Sequence, residues 1–215
     1  MNRPYFLFLT IFLFVYPSYG NDAPVWDVRW SPFCEGLERE SWKCPGVIEK
    51  TELPSIKPAY RHGDILFIKL KNGKQEQFHN ENGREVSTAY SLLHYFEDLG
   101  LFMIDKAISE GGSTIFLDDR DGHTFELNGR VRFSPDGKRL LSVFSWDGDG
   151  EVSIWSVSQY QINQEWGPIR SMDLGKEIGE AKWINNSKVQ ISSYDEKSSF
   201  TFLSLKNANW IVSEK

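Results

Sequence analysis

The chain has 215 residues, with 24 Lys and Arg against 30 Asp and Glu, which gives a formal net charge of −6 at pH 7. Like charges do not gather into runs, so the sequence lacks the basic face that would neutralise phosphates, and nucleic acid is not an expected partner. The mild acidity also argues against adhesion to anionic lipid. The length suits one domain or two very small ones.

The N-terminal segment, residues 1–20, has the pattern of a cleavable secretory signal peptide. Arg3 is its single charge, and the apolar run that follows is shorter than the roughly 20 residues that cross a bilayer as a helix. Small residues precede the expected cleavage point after Gly20. An uncleaved anchor or a core helix is the alternative. We expect a secreted or periplasmic protein with no membrane span after cleavage, since no second long apolar run occurs.

Residues 21–60 form a proline-rich lead-in that the sequence predicts to be irregular and loop-rich. It contains the two cysteines of the chain, Cys34 and Cys44. In an exported protein such a pair predicts a disulfide, which would staple this segment. The alternative is half of a metal site, but two thiolates without a nearby pair of histidines make an incomplete ligand set.

Three tryptophans of the lead-in are candidate binding residues, namely Trp26, Trp30 and Trp42. Aromatic side chains of this kind recognise proteins or glycans when they form an exposed patch. The alternative is that they pack against the open edge of the fold, as aromatic segments beside a disulfide do.

From residue 61 onward, short strands separated by turn residues are predicted. A hairpin is expected over 65–78, with Asn72-Gly73 as a two-residue turn in which both positions take positive φ. Residues 91–96 fit a short helix or a strand, and the β character of the following chain favours the strand. Further strands are predicted in three places, over 101–108, 113–117 and 123–127.

An internal repeat is visible in the second half of the chain. Residues 131–141 align with 181–191, and residues 152–157 align with 200–205. A period of about 40–50 residues with several strands per unit is typical of propeller blades. Residues 101–127 supply a third, more divergent unit, and the earlier hairpin supplies half of a fourth.

The run Phe133-Ser134-Pro135-Asp136-Gly137-Lys138, followed by an apolar strand and then by Ile154-Trp155-Ser156-Val157, resembles a blade of the TolB and WD40 type of β-propeller. The resemblance is clear over residues 131–157, about one blade. It implies an all-β fold, a small or incomplete β-propeller-like domain of antiparallel blades over residues 61–215, beside the irregular disulfide-stapled N-terminal segment. The chain is also similar to small bacterial envelope proteins of unassigned activity.

Two acidic, glycine-containing turns are candidate calcium sites. One holds Asp118 and Asp121, and the other holds Asp147, Asp149 and Glu151. Clustered carboxylate oxygens are the ligands that calcium prefers. Asp and Gly are also ordinary turn residues, because Asp bonds the turn backbone and Gly supplies positive φ. Both interpretations stay open, and no other cofactor is expected.

The sequence offers little for nucleophilic catalysis. It has no Gly-x-Ser-x-Gly elbow, its cysteines are expected to be bridged, and its four histidines lack metal-ligand spacing. We therefore expect an exported, non-catalytic binding module with a protein partner; one version is an inhibitor or immunity protein that occludes an envelope-targeting enzyme. The alternatives are a glycan-acting hydrolase that uses the acidic turns and a calcium-stabilised structural protein.

Overall fold

The computed structural model describes residues 34–37, 43–83, 87–109, 111–146, 149–175, 177–193 and 200–214. These residues form an all-β fold, as the sequence predicts, with sixteen strands in four antiparallel sheets. Within each sheet the strands lie side by side in chain order, so every neighbouring pair is joined by a short connection. Among the described residues, no helix is long and apolar enough to cross a membrane.

The four sheets follow one another along the chain. Sheet I contains β1 (Ala59–His62), β2 (Ile65–Lys69) and β3 (Gln75–His79). Sheet II contains β4 (Glu81–Asn82), β5 (Ser87–Phe96), β6 (Leu101–Ile108), β7 (Gly111–Asp118) and β8 (Thr124–Asn128). Sheet III contains β9 (Arg130–Phe133), β10 (Arg139–Trp146), β11 (Asp149–Ser158) and β12 (Gln161–Arg170). Sheet IV contains β13 (Ile178–Asn185), β14 (Lys188–Ser193), β15 (Phe200–Lys206) and β16 (Asn209–Glu214).

Three buried clusters hold successive sheets together. Core I/II joins sheets I and II through Leu66, Ile68, Leu70, Leu92, Phe102, Ile104 and their neighbours. Core II/III joins sheets II and III through Leu93, Leu101, Met103, Phe116, Val131, Leu140 and their neighbours. Core III/IV joins sheets III and IV through Leu141, Val152, Ile154, Ile178, Ile191, Leu203 and their neighbours.

The alternation of side chains along a strand explains how sheet II serves two cores. Successive residues point to opposite faces, so Phe102 enters core I/II whereas Met103 enters core II/III. Burying one such side chain stabilises the fold by about 1.5–3 kcal/mol. The double-sided apolar pattern therefore places sheet II between sheets I and III.

The described part of the lead-in differs from the loop-rich prediction, because residues 44–55 are helical. Helix α1 (Cys44–Glu52) begins with Pro45 in its first turn, a position where the missing N–H of proline costs nothing. A 3₁₀ turn (Leu53–Ser55) continues it. The predicted disulfide is formed between Cys34 and Cys44, and both sulfurs lie in core II/III.

The buried carboxylate of Glu49 fixes helix α1 to sheets I and II. Arg61 of β1 forms a two-point ion pair with it, and the Nη2–Oε2 distance is 2.8 Å. The backbone N–H of Leu92 donates to the same Oε2 at 2.7 Å. Such tertiary bonds stabilise a helix that would be too short to persist alone.

The predicted strands are confirmed to within a residue or two, including the strand over 91–96, which lies in β5. The two-residue turn predicted at Asn72-Gly73 is wrong. Only Gly73 has positive φ, at 84°, and the loop closes one residue wider, by a bond of 2.9 Å from Leu70 N to the carbonyl of Lys74. The side chain of Asn72 accepts from Lys74 N instead, which is a local alternative to the expected turn.

The internal repeat corresponds to equivalent strands of sheets III and IV. Residues 131–141 cover the hairpin of β9 and β10, and residues 181–191 cover the hairpin of β13 and β14. The second aligned pair lies in β11 and β15, the third strand of each sheet. The propeller-like arrangement of the sheets stays a prediction.

Candidate functional site

A cavity of about 310 Å³ lies where sheets II, III and IV meet. Its walls come from β6, β7, β9, β10 and β13, and Pro45 of α1 adds one contact. Four of the lining residues are glycines, namely Gly111, Gly112, Gly129 and Gly179. Because glycine has no side chain, the wall is bare backbone at these positions.

The cavity exists because core II/III becomes thinner along two paired strands. On β6 the residues that face sheet III run from Leu101 and Met103 to Asp105 and Ala107, and their partners on β7 run from Phe116 to Thr114 and Gly112. Large apolar side chains fill the core at one end. Small or polar ones leave space at the other, so the sequence of side-chain sizes creates the cavity.

Gly129 closes the joint between sheets II and III at the cavity wall. Its φ is +73°, and an added Cβ would lie 2.2 Å from the carbonyl oxygen of Val143. Its N–H donates to the carbonyl of Gly112 at 3.0 Å. Only a residue without a side chain permits this approach of the two backbones.

Asp105 lines this cavity with a carboxyl group whose pKa is raised. It is partly buried, and burial raises the pKa of its carboxyl to about 7, because a poorly solvated site disfavours the charged form. Among the described residues, none forms a hydrogen bond or an ion pair with its side chain. Near neutral pH the group therefore exchanges a proton readily and, when ionised, lacks a counter-ion from the described chain.

Glu180, the second carboxylate among the described lining residues, is paired. Arg132 donates from Nη2 to its Oε1 at 3.2 Å and from Nη1 to the carbonyl of Ala181 at 2.6 Å. Arg130 lies on the same face of β9 as Arg132, opposite to Val131, which enters core II/III. Both arginines therefore lie on the face of β9 that is turned toward sheet IV. Asp105 lies on β6, in the wall of the cavity that sheet II forms.

A second polar cluster joins sheets I, II and III at the turn after β7. The buried carboxylate of Asp119 accepts from the Tyr95 hydroxyl at 2.7 Å and from Lys71 Nζ at 2.9 Å. Burial, and then the bond to Asp119, raise the pKa of Tyr95 above its usual range, and the same carboxylate raises the pKa of Lys71. The guanidinium of Arg120 lies 3.7 Å above the ring of Tyr160, so this turn is fixed to the β11–β12 connection.

The structure uses Asp118 and Asp121 as turn residues. Asp118 is buried, which opposes ionisation, but the bonds from Arg120 outweigh this effect and lower the pKa of the carboxyl. Asp121 accepts from the backbone N–H of His123 at 2.9 Å. Among the residues that the structure describes, no group of three or more His, Cys, Asp or Glu is arranged to hold a metal ion.

The other site residues predicted from the sequence do not line the cavity, or they lie outside the described residues. Asp149 and Glu151 lie on β11, with Asp149 exposed and Glu151 paired in register with Arg170. Asp147 and the tryptophans Trp26, Trp30 and Trp42 lie outside the described residues. The calcium interpretation and the aromatic binding patch stay predictions.

Sequence reasoning missed Asp105, although a signal for it exists. In the strand predicted over 101–108, the alternation places Asp105 in the same row as Leu101 and Met103. A carboxylate in an apolar row is unusual, because burying an unpaired charge is costly. Such a position is a functional-site candidate.

No family model matches the chain, and no curated protein matches it. Among solved structures, one similar chain is described as "KlHsv2 with loop 6CD replaced by a Gly-Ser linker", at 14% identity over 73% of this chain and 66% of that chain, with a TM-score of 0.30. The matched part of the chain thus spans slightly less than two thirds of that structure. A likeness at this level carries no weight for fold or function.

Proposed function

We propose that this chain is an exported, non-catalytic binding module that recognises a protein partner at the cavity between sheets II, III and IV. The observation that carries the proposal is the carboxylate of Asp105, which lies in the cavity wall without a partner among the described residues. A desolvated, unpaired carboxylate is unfavourable in the isolated protein. A bound group that pairs with it would recover that energy as affinity.

The surroundings of the cavity favour recognition by a rigid surface. Three buried cores fix the sheets relative to one another, so little ordering energy is lost when a partner binds. A volume of about 310 Å³ is at the small end for a ligand pocket. It fits one inserted side chain better than a large organic ligand.

Two features support export. The N-terminal pattern predicts a signal peptide, and the disulfide between Cys34 and Cys44 is formed in the fold. Disulfides persist in oxidising compartments such as the periplasm or the exterior of the cell. An inhibitor of an envelope-targeting enzyme is the specific form of partner recognition that fits this location.

The test uses the oxidised chain from residue 21 to 215, immobilised and exposed to secreted and envelope extracts. A retained protein is then purified and titrated against the free chain by calorimetry, with one-to-one binding expected. The variant Ala107→Leu partly fills the cavity and should weaken the complex at least about tenfold, since one displaced side chain is worth a few kcal/mol.

The control is Gln77→Leu, which places a leucine at an exposed position of β3 in sheet I. Gln77 does not line the cavity, so its variant should bind like the wild type. Equal weakening in both variants, or no protein retained by the folded chain, would overturn the proposal.

A further inference from the structure

We infer that the partner inserts a positively charged side chain, with an ammonium or guanidinium end, into the cavity, and that Asp105 is its counter-ion. This inference rests on the proposed function and specifies the chemistry of the partner. It makes Asp105 a binding residue in the middle of a core-forming strand.

The position of Asp105 gives the first argument. Its neighbours on the same face of β6, Leu101 and Met103, are completely buried in core II/III. The opposite residue on β7, Thr114, uses its hydroxyl to donate to the carbonyl of Gly129 at 3.3 Å. The carboxylate therefore lies at the end of an apolar row and lines the cavity, and the hydroxyl of its register partner already donates elsewhere.

The charges around the cavity give the second argument. Among the residues that the structure describes, the charged lining residues besides Asp105 are Glu180, Arg132 and Arg130. Glu180 is neutralised by Arg132, and both arginines lie on the face of β9 turned toward sheet IV. Elsewhere in sheet II, Lys106 of β6 and Glu126 of β8 bond each other at 2.9 Å on the opposite face, and Asp118 at the far end of β7 is paired with Arg120. A cation entering along sheet II thus meets a carboxylate.

The wall gives the third argument. Lysine and arginine combine a charged end with a narrow hydrocarbon stem that packs on apolar surface. Ala107, Ile108 and Val143 line the cavity and are not fully buried, so they offer such surface, and the open space beside Gly111 leaves room for a stem to pass. A bulky apolar group would fill the space but leave the carboxylate unpaired.

The test titrates the folded chain with n-butylammonium and with n-butylguanidinium, which reproduce the two side-chain ends, and with 1-pentanol as the neutral control. Binding is followed by the shifts of backbone amide NMR signals of β6 and β7 at about pH 8, where Asp105 is ionised. We expect saturable binding of at least one cation, weaker binding of 1-pentanol, and a loss of about tenfold or more in Asp105→Asn, since the charge is the main attraction.

The matched control is Asp64→Asn, which removes the same charge from an exposed turn outside the cavity and should leave the affinity unchanged. At about pH 5.5 the wild type should bind the cations at least roughly tenfold more weakly, because Asp105 is then mostly protonated. Equal affinity in Asp105→Asn and wild type, or no saturable binding of either cation, would overturn the inference.

The two proposals fail in different ways. If a captured partner protein binds Asp105→Asn as tightly as the wild type, the cationic contact is wrong and the binding module stands. If the butyl cations bind at Asp105 but no protein is retained by the folded chain, the proposed function is wrong and the cation site stands.

Discussion

The indole N–H of Trp183 donates to the backbone carbonyl of Arg132 at 3.0 Å. The guanidinium of Arg132 donates in the opposite direction, to the carbonyl of Ala181 at 2.6 Å. These two bonds join β9 and β13, the first strands of sheets III and IV, which do not pair with each other in a ladder. One wall of the cavity is therefore held by side-chain bonds between sheets.

Replacing Trp183 by Phe should lower the free energy of unfolding more than the same change at Trp155. Trp183→Phe removes a bond and leaves the carbonyl of Arg132 without that donor. The indole nitrogen of Trp155 is buried and has no hydrogen-bond partner within the described part of the chain, so Trp155→Phe removes an unsatisfied group. We expect a difference of about 1 kcal/mol, measured by urea denaturation. Equal effects would show that the indole bond contributes nothing to stability.

Asp105→Asn should stabilise the protein in a pH-dependent manner. Burial raises the pKa of the native carboxyl to about 7, whereas the ordinary pKa in an unfolded chain is 3.8. The native state therefore binds more protons between these values, and the wild type loses stability as the pH rises through them. At about pH 8 the variant should be more stable by on the order of 3 kcal/mol.

Near pH 3, below both pKa values, the stabilities of the wild type and Asp105→Asn should converge, because the carboxyl is then largely protonated in both the folded and the unfolded chain. Urea denaturation of both proteins across this pH range measures the difference. A difference that does not change with pH would contradict the raised pKa, and Asp64→Asn serves again as the control at an exposed carboxylate.

Gly129→Ala should destabilise the fold severely. The position combines positive φ with an added Cβ only 2.2 Å from the carbonyl oxygen of Val143, so β10 would have to move. Gly73 also has positive φ, at +84°, but has open space around it. We expect Gly73→Ala to cost about 1 kcal/mol and Gly129→Ala to cost more than about 3 kcal/mol, measured by thermal or urea unfolding. Similar losses would show that the clash is relieved.

Asp119→Asn should weaken the contact between sheets I and II and change the titration of Tyr95. The substitution removes the charge that Lys71 and Tyr95 bond, at an expected cost of about 1–3 kcal/mol. Loss of the carboxylate should also lower the pKa of Tyr95, since the bond to Asp119 contributes to its raised value. Ultraviolet titration of the phenolates measures this shift.

Asp121→Asn provides the control in the same turn, because the amide keeps the oxygen that accepts from His123 N. Its stability and its phenolate titration should match the wild type. A phenolate titration that is also unchanged in Asp119→Asn would show that the contact between Tyr95 and Asp119 does not persist in solution.

Much of the β architecture could be predicted because its pairings are local. Strand periodicity at 101–108 and glycines in the turns specify hairpins between neighbours in the chain, and each sheet is built from such neighbours alone. Helix α1 escaped prediction for the opposite reason. Its stability depends on Glu49 meeting Arg61 and Leu92, contacts that no local pattern reveals.

The candidate site could be predicted less well from the sequence, because it depends on which faces of sheets II, III and IV pack against one another. The local bonds of Asp118 and Asp121 follow from turn chemistry within a few residues. The cavity needs glycines from three separate parts of the chain to converge. It also needs the register that places Asp105 opposite Thr114. The alternation of side chains along one strand does not determine its register with the next strand.

The order of the sheets along the chain has a consequence for folding during synthesis. Synthesis proceeds from the N-terminus, and domains fold as their segments emerge. Since each core lies between one sheet and the next, each of the first three sheets presents an uncovered apolar face until the following sheet is complete. A nascent chain that pauses after residue 170 would expose Leu141, Val152 and Ile154, and a ribosome pause at that length makes the chain a substrate for holding chaperones or for aggregation.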